Sequence, residues 1–580
     1  MMTEIPTMSR RTLLAGGAAI LGLLAAGRGV AGAAGTIGSS FVPVAPTRVA
    51  DTRSYFGCSP AGRLPADATV TVGITGRAEV NVPATATAVV LNVIAVGASS
   101  SGFLTVYPAG IVRPTSSNVN FTAGDTRANA ATVKLGAGGA IAVYSSASAD
   151  VVVDVVGYYQ AETGPVAAGR MVLGGPTRAY DSRGGAGKVR AGESRRIPLA
   201  GLVPAGSSAA VVNITVTGSD GGFFSALPAP AAGVPSTSTV NASAGATVAN
   251  STIVPLSTGL EMWVYASHGG HVIVDVFGYV SGAGAQVSSA GLFVPLSSPF
   301  RMLDTRSASP LGNGMRMWPG WSVEAAMLGR GGVPTSGVSG VVGNITYVDA
   351  HDAGFLVAYQ AGFGRPSTSS VNTDNGGDTV ANHMLCGISS RGLAVFSSAG
   401  GHAIVDVSGY LTGTATVLPA VTAAKQYAPP PVWPVTLTIP RLGHSFQVYG
   451  SSEPAVIDTG NIGWFPGTGY PGGLGEMVVF WHRTAHGGPF RYINQLVPGD
   501  RITVTGDRRT GVYEVYDIDA GDSFSGFQVI PASAVSDVVA MSGSRSEGIA
   551  LVACTLPNGQ PTSLDYRMIV HARLISYTNS

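Results

Sequence analysis

The sequence predicts an all-β protein built from tandem units. Charged residues make up only 11% of its 580 positions and hydrophobic ones 45%, a balance poor in the Lys and Glu that surface helices use. There are 81 Gly and 36 Pro, and they punctuate runs of Val, Ile, Phe and Tyr that are only strand-length. One pattern of about 120 residues occurs three times before the composition changes. Net charge is +1 with no Lys/Arg cluster, so neither a nucleic acid nor an anionic membrane is expected as a partner.

The first element is a targeting segment. Ser9, Arg10, Arg11, Thr12, Leu13 and Leu14 form a twin-arginine pattern, an apolar run continues to Ala26, and Ala31, Gly32 and Ala33 fit a signal-peptidase site. Residues 1–33 therefore read as a Tat export signal cleaved near Ala33, with an ordinary Sec signal as the other reading. No Cys follows the apolar run, so no lipid anchor is expected. After residue 40 no stretch has 18 unbroken apolar residues, so the mature chain is expected to lack a transmembrane segment.

The repeats cover 41–160, 170–282 and 292–412. Each opens on a strand and an Asp-x-Arg turn (Asp51/Arg53, Asp181/Arg183, Asp304/Arg306). Each has a strand carrying one Asn (Asn92, Asn213, Asn344) and, later, a second Asn (Asn129, Asn250, Asn382). Each closes on a Val-Asp-Val-x-Gly-Tyr strand around Asp154, Asp275 or Asp406. A period this long suits an independent domain rather than a solenoid turn. Eight to ten short strands per unit point to a β-sandwich, with a barrel as the second choice. The bland reading of the repeated polar residues is turn closure and satisfaction of buried backbone groups. A glycan or cell-wall contact is the other reading, although the sequence shows no repeated aromatic pair for sugar stacking.

Residues 413–434 read as a linker ending in Pro429, Pro430 and Pro431, a semi-rigid spacer. Beyond it, 435–580 shows strands at Val435 to Pro440, Met477 to Trp481, Arg501 to Thr505, Val512 to Ile518, Ile549 to Thr555 and Arg567 to Leu574. This predicts a compact β domain, a closed barrel.

The three cysteines are Cys58, Cys386 and Cys554. An odd number leaves at least one thiol free. Cys58 and Cys386 can pair only if the first and third repeats touch, which beads on a string do not predict. Cys554 ends an apolar strand, His482 ends another and Arg567 begins a third. A barrel can bring three strand ends to one rim, giving a nucleophile, a proton carrier and a cation for an oxyanion. Spacing alone leaves open whether they meet, and an inert buried thiol is the common fate of Cys.

Residues 437–574 resemble the sortase family, nearest to its actinobacterial class E and F-like members. The resemblance is carried in order by LTIPRLG (437–443), GWFPGTGYPGG (463–473), GEMVVFWHRT (475–484), GGPFRYINQLVPGDRITV (487–504), LVACT (551–555) and RMIVHARL (567–574). It implies a closed β-barrel and a cysteine transpeptidase, with Cys554 as nucleophile, His482 as general acid/base and Arg567 as the oxyanion-stabilising cation. The family usually has Gly where Trp481 stands and Thr where Ala553 stands. Both neighbours line the groove in relatives, so Trp481, Ala553 and the nearby His486 are substrate-groove candidates. Arg573 shares the strand face of Arg567 by alternation and is the reserve cation.

The implied reaction cleaves a sorting-signal peptide through a Cys thioester and passes it to an amine, with water as an alternative acceptor. It calls for no metal or organic cofactor, and no His/Cys/Asp cluster has metal-ligand spacing. The implied partners are surface proteins or pilins bearing a sorting signal and an amine acceptor, outside the cell or at its wall. The three repeats resemble a module of secreted actinobacterial proteins and would serve as a spacer or glycan-binding part. The rival reading is a surface adhesin with a divergent, non-catalytic sortase-like domain.

Overall fold

A computed structural model describes residues 37–307, 316–317, 319, 321–417, 431–451, 454–466, 468–471, 475–483, 488–516, 528–535, 547–555 and 564–579. The expected export segment, most of the expected linker (418–430) and His486 lie outside these residues.

The first unit has eight strands: β1 (Gly38–Asp51), β2 (Ala68–Gly73), β3 (Ala86–Val96), β4 (Gly102–Pro108), β5 (Val119–Phe121), β6 (Thr126–Lys134), β7 (Ala140–Ser145) and β8 (Asp150–Glu162). They form two antiparallel sheets, β1-β8-β3-β6 and β2-β7-β4-β5. The second and third units repeat this order strand for strand. Each is a β-sandwich with its own apolar core between the sheets. On β2 the core face is Val70 and Val72, fully buried, alternating with exposed Thr69 and Thr71, as a strand with one wet face requires.

β8 behaves differently. Val151 to Val156 are all buried. Val151, Val153 and Val155 face the unit's own core. Of the other face, Val156 and Tyr159 join a cluster with Phe277 and Val280 of the second unit and Phe293 and Leu411 of the third. A strand apolar on both faces needs cover on both, and here the neighbouring units supply it.

The expectation of independent beads is thus corrected: the three units close into a ring. β1 pairs with the first strand of the third unit at Ser39 and Phe293, joining two sheets into one of eight strands. The repeated asparagines stitch the seams. Asn92 Nδ2 donates to the Ser238 carbonyl (2.5 Å), Asn213 Nδ2 to Ser369 (2.9 Å) and Asn344 Nδ2 to Ser117 (2.9 Å). Each unit so holds the hydroxyl-rich loop of the next, one to two, two to three and three to one. The second set answers them: Asn250 Nδ2 donates to Asn92 Oδ1 (2.9 Å), Asn382 to Asn213 (2.9 Å) and Asn129 to Asn344 (3.1 Å). The backbone amides of Ala130, Ser251 and His383 donate to Oδ1 of Asn250, Asn382 and Asn129 at 2.9–3.1 Å. All six asparagines are at most 4% exposed. A buried amide is retained where its donors and acceptors are used, and two seam-crossing roles per residue explain why Asn stands at these points.

The Asp-x-Arg signature is turn chemistry. Asp51 caps a short turn by accepting from the Arg53 amide (3.1 Å) and from Arg53 Nε (2.9 Å). Asp181 and Asp304 do the same with Arg183 and Arg306. The Asp of the closing strand takes an arginine from the opening one, Arg48–Asp154, Arg178–Asp275 and Arg301–Asp406, at 2.7–2.9 Å. Cys58 and Cys386 are free thiols although their units touch, because each packs in or against its own unit's core. An aromatic pair, invisible in the sequence, does recur: Phe103–Tyr144, Phe223–Tyr265 and Phe355–Phe396, with ring centroids 5.9–6.1 Å apart.

The C-terminal part is a closed barrel of eight strands. Going round it they are Arg509–Val515, Arg501–Gly506, Val435–Ile439, His444–Tyr449, Ile462–Trp464, Glu476–Phe480, Gly548–Thr555 and Tyr566–Asn579, the last pairing back onto the first. Gln528–Pro531 adds to the edge of Tyr566–Asn579. His444–Tyr449 and Ile462–Trp464 were not expected from sequence; one mixes polar and apolar residues and the other is three residues long. The strand expected at Val512 to Ile518 runs instead over Arg509–Val515. Leu437, Met477, Val479, Ile502, Leu551 and Val570 fill the barrel. No helix among the described residues is long and apolar enough to cross a membrane.

Candidate active site at one barrel rim

Cys554 and Arg567 sit on two paired strands, and His482 lies two residues past the end of a third, Glu476–Phe480, on the other side of the Cys554 strand. Gly548–Thr555 runs antiparallel to Tyr566–Asn579 with Cys554 directly opposite Arg567, which puts their Cα atoms about 5 Å apart with side chains on one face. On its other edge Gly548–Thr555 runs parallel to Glu476–Phe480, with Phe480 level with Val552. The Trp481 amide extends that pairing by donating to the Val552 carbonyl (3.3 Å). Two residues beyond Phe480 and Val552 stand His482 and Cys554. The three side chains therefore occupy one level at one end of the barrel.

Alternation decides which way each neighbour points. Ile549, Leu551 and Ala553 belong to the barrel interior. Ala550 and Val552 belong to an outer cluster with Val478, Ile530 and Ile569, against which the half-buried Phe465, Phe480 and Val535 pack. Cys554 continues the outer row and is half-buried with a free thiol. Trp481 and Ala553, expected in the substrate groove, instead lie in the barrel core at 8% and 2% exposure. Trp481 packs edge-on against Phe446 (5.5 Å) and Phe490 (6.2 Å). Being one residue before His482 and Cys554, they face the opposite side from them.

His482 Nε2 lies 2.8 Å from Asp458 Oδ1. Asp458 follows a single helical turn, Pro454–Ile457, and nothing in its local sequence marks it. A carboxylate on one ring nitrogen fixes the tautomer and leaves the other nitrogen for proton transfer. Arg567 Nη1 donates to the carbonyls of Leu564 (2.6 Å) and Tyr566 (3.0 Å). Its guanidinium is thereby held at the start of its strand.

Arg573 is not part of this group. It lies opposite Gly548 and bonds Glu514 (2.8 Å), six residues and roughly 20 Å along the strand from Arg567. It lines a cavity of about 400 Å³ between the third unit and the far end of the barrel, together with Glu324, Arg391 and Glu514. Among the described residues no group of three or more His, Cys, Asp and Glu is arranged to hold a metal.

Residues 437–575 match the family model of the sortase domain. The chain is 32% identical over 133 residues to sortase SrtE1 of Streptomyces coelicolor, an alignment covering 22% of this chain and 35% of that protein. The chain thus spans about a third of the length of this curated relative. Among solved structures it is similar to sortase E1 from Streptomyces coelicolor with a tripeptide in the active site: 28% identity, 27% of this chain and 92% of that one, TM-score 0.21. It is also similar to the SrtA sortase from Actinomyces oris: 20% identity, 27% of this chain and 86% of that one, TM-score 0.23.

Proposed function

We propose that the C-terminal domain is a cysteine transpeptidase of the sortase type, with Cys554 as nucleophile, His482 as general acid and base, and Arg567 as the cation facing the oxyanion. The observation that carries this reading is the strand register, which sets Cys554 opposite Arg567 and brings the end of the strand that leads into His482 level with Val552. The Cys554 thiolate attacks a peptide carbonyl, forming the S–C bond. The oxyanion collapses, the C–N bond breaks, and His482 gives its proton to the leaving amine. An acceptor amine then attacks the thioester, His482 takes up its proton, and the thiolate leaves. The half-buried Phe465, Phe480 and Val535 on the same outer face give the substrate peptide an apolar footing.

The substrates on this reading are surface proteins or pilins carrying a sorting signal, and the product is an amide to an amine acceptor. The export segment places the enzyme outside the cell or at the wall by the Tat route. The ring of three units is then a rigid platform, with a cell-wall glycan as its candidate contact. The adhesin reading loses its main motive, because Trp481 and Ala553 differ from the family pattern at core positions rather than on the face of the thiol. The test is mass spectrometry of the purified protein after incubation with a pentapeptide library. A thioester adduct on Cys554 is expected; its absence with every peptide, together with unchanged peptides, would favour the adhesin.

A further inference from the structure

The cavity of about 400 Å³ between the third unit and the far end of the barrel has no part in the reaction above. Its volume falls within the ~300–1,000 Å³ usual for small-molecule sites, and it lies between domains, where such sites concentrate. The third unit gives one wall, with Glu324, Tyr359, Phe363, Arg391 and Phe396. The barrel gives the other, with Glu476, Glu514, Tyr516, His571 and Arg573. The walls meet at one edge, where a Cβ on Gly364 would stand 3.8 Å from Arg573 Nη1.

The third unit departs from its two copies at this wall. In register, Glu324 stands opposite Ala394, two residues before Phe396. The equivalent places, two residues before Tyr144 and Tyr265, hold Thr71 opposite Ala142 and Arg196 opposite Trp263, both exposed. The repeat therefore folds without a carboxylate at this point. Glu324 is nonetheless mostly buried, its side chain 15% exposed, in an ion pair with Arg391 at 2.7 Å, and burial pushes its carboxyl pKa up. On the barrel side His571 and Glu476 are both buried and 2.6 Å apart, and Arg573 pairs with Glu514 at 2.8 Å. Taking charges out of water is costly even when they are paired, and the other two units avoid that cost at this place.

The lining selects the ligand. Four carboxylates share the cavity with three guanidiniums and one imidazole, so the charges nearly cancel and draw no simple ion. Each pair instead sets an acceptor beside a donor in a fixed frame, which suits a hydroxyl, itself both donor and acceptor. Phe363, 41% exposed on one wall, and the half-buried Tyr516 on the other give apolar surface for C–H groups. A ring with apolar faces and hydroxyl edges matches this lining. We propose that the cavity is a saccharide site that takes one or two sugar rings between the third unit and the barrel. The inference rests on the reading of a cell-wall glycan as the contact of the ring, and it gives that contact a place. The two strands that bring Gly548 and Arg573 to the cavity carry Cys554 and Arg567 at the rim. Glycan and sorting-signal peptide are then held at opposite ends of one barrel.

The experiment is a saturation-transfer NMR titration of the full-length protein with chitobiose, cellobiose and maltose, and with triglycine as a zwitterionic probe of similar size. At least one disaccharide should bind and triglycine should not. Glu324→Gln should weaken the sugar roughly tenfold or more, as expected for a lost hydrogen bond to a charged group. Phe363→Ala removes an exposed ring and should weaken it several-fold; it decides the question if Glu324→Gln does not fold. Thr71→Ala, at the equivalent place of the first unit, should bind like wild type. Sugar binding unchanged in folded Glu324→Gln, or in Phe363→Ala should that variant alone fold, overturns this site and leaves the glycan contact elsewhere on the ring. Binding of no saccharide overturns the site and the glycan reading together, and binding of triglycine in place of sugar overturns the ligand class. Thioester trapping in Phe363→Ala should match wild type, so these failures are separate from failure of the transpeptidase reading.

Discussion

The ring of three units and the barrel both bury polar side chains, but to different ends. In the ring the asparagines at the seams and the Asp-x-Arg turns each have two counterparts. Asn92, Asn213 and Asn344 make the same seam-crossing bond three times, and the three Asp-x-Arg turns close in the same way. In the barrel the polar residues at the rim have no repeat. His482, Cys554 and Arg567 are three different groups, drawn together by strand pairing and each placed once. Threefold repetition of a polar residue marks a structural bond that the architecture needs in triplicate. A single unrepeated gathering of titratable groups marks chemistry.

This contrast breaks first at Cys554. Cys554→Ala should abolish thioester trapping and turnover altogether while leaving the melting of the ring unchanged, as followed by calorimetry and by mass spectrometry with a substrate peptide. Retained cleavage would remove Cys554 from the mechanism.

The remaining rim residues come next. Peptide cleavage should fall roughly 10²–10⁴-fold in His482→Ala and roughly 10²–10³-fold in Arg567→Ala, without the losses multiplying in the double variant. Arg573→Ala should leave the rate near wild type, because that side chain belongs to an exposed ion pair with Glu514 at the other end. A larger effect from Arg573 than from Arg567 would reverse the assignment of the cation.

In the ring, substitution should cost stability and not rate. Asn213→Ala strips partners from the Ser369 carbonyl, Asn382 Nδ2 and Ser251 Oγ. At about 1–3 kcal/mol for each of these three buried groups left unsatisfied, the ring should lose at least about 3 kcal/mol in denaturant unfolding. If the variant unfolds like wild type, the seam is held by apolar contact alone.

The smallest effect belongs to the surface turns. The hydrogen bond from Arg183 holds Asp181 down at about 2, against 3.8 for the free side chain. A depressed acid contributes stability that is present in full above its unfolded pKa and lost as pH falls through the folded one. Stability from this turn should therefore decline between about pH 4 and pH 2, and Asp181→Asn should flatten that limb. The pair is partly exposed, so its contribution is less than about 1 kcal/mol. An identical acid limb in the variant would show that the turn carries none of it.

Much of this was legible because it is local. A β-sandwich unit follows from alternation such as Thr69-Val70-Thr71-Val72 and from Gly and Pro between short runs. The triplicate Asp-x-Arg turns could be read as turns because the bond spans two residues. The candidate residues His482, Cys554 and Arg567 could be named because each lies at the end of an apolar strand within a recognisable motif. One long-range signal is also written in the sequence. The run Val151 to Val156, interrupted only by Asp154, puts valines on both faces, which a lone sandwich with a wet outer face does not need.

Other features were decided only by tertiary pairing. Asn92 and Asn250 are 158 positions apart, and no local rule connects them; the closed ring exists because buried amides at three seams find one another. Trp481 and Ala553 were assigned to the groove by motif, yet a side chain one residue from an outward-facing one points inward, and only the barrel's closure shows which side is the core. Asp458 meets His482 across 24 positions through a loop whose course depends on two strands too short or too mixed to read. Sequence by itself determines what each strand is made of. Which strand lies beside which, and so which residue stands opposite Cys554, is set by hydrogen-bonded register over long separations, where entropy of chain closure and burial of both faces outweigh any local preference.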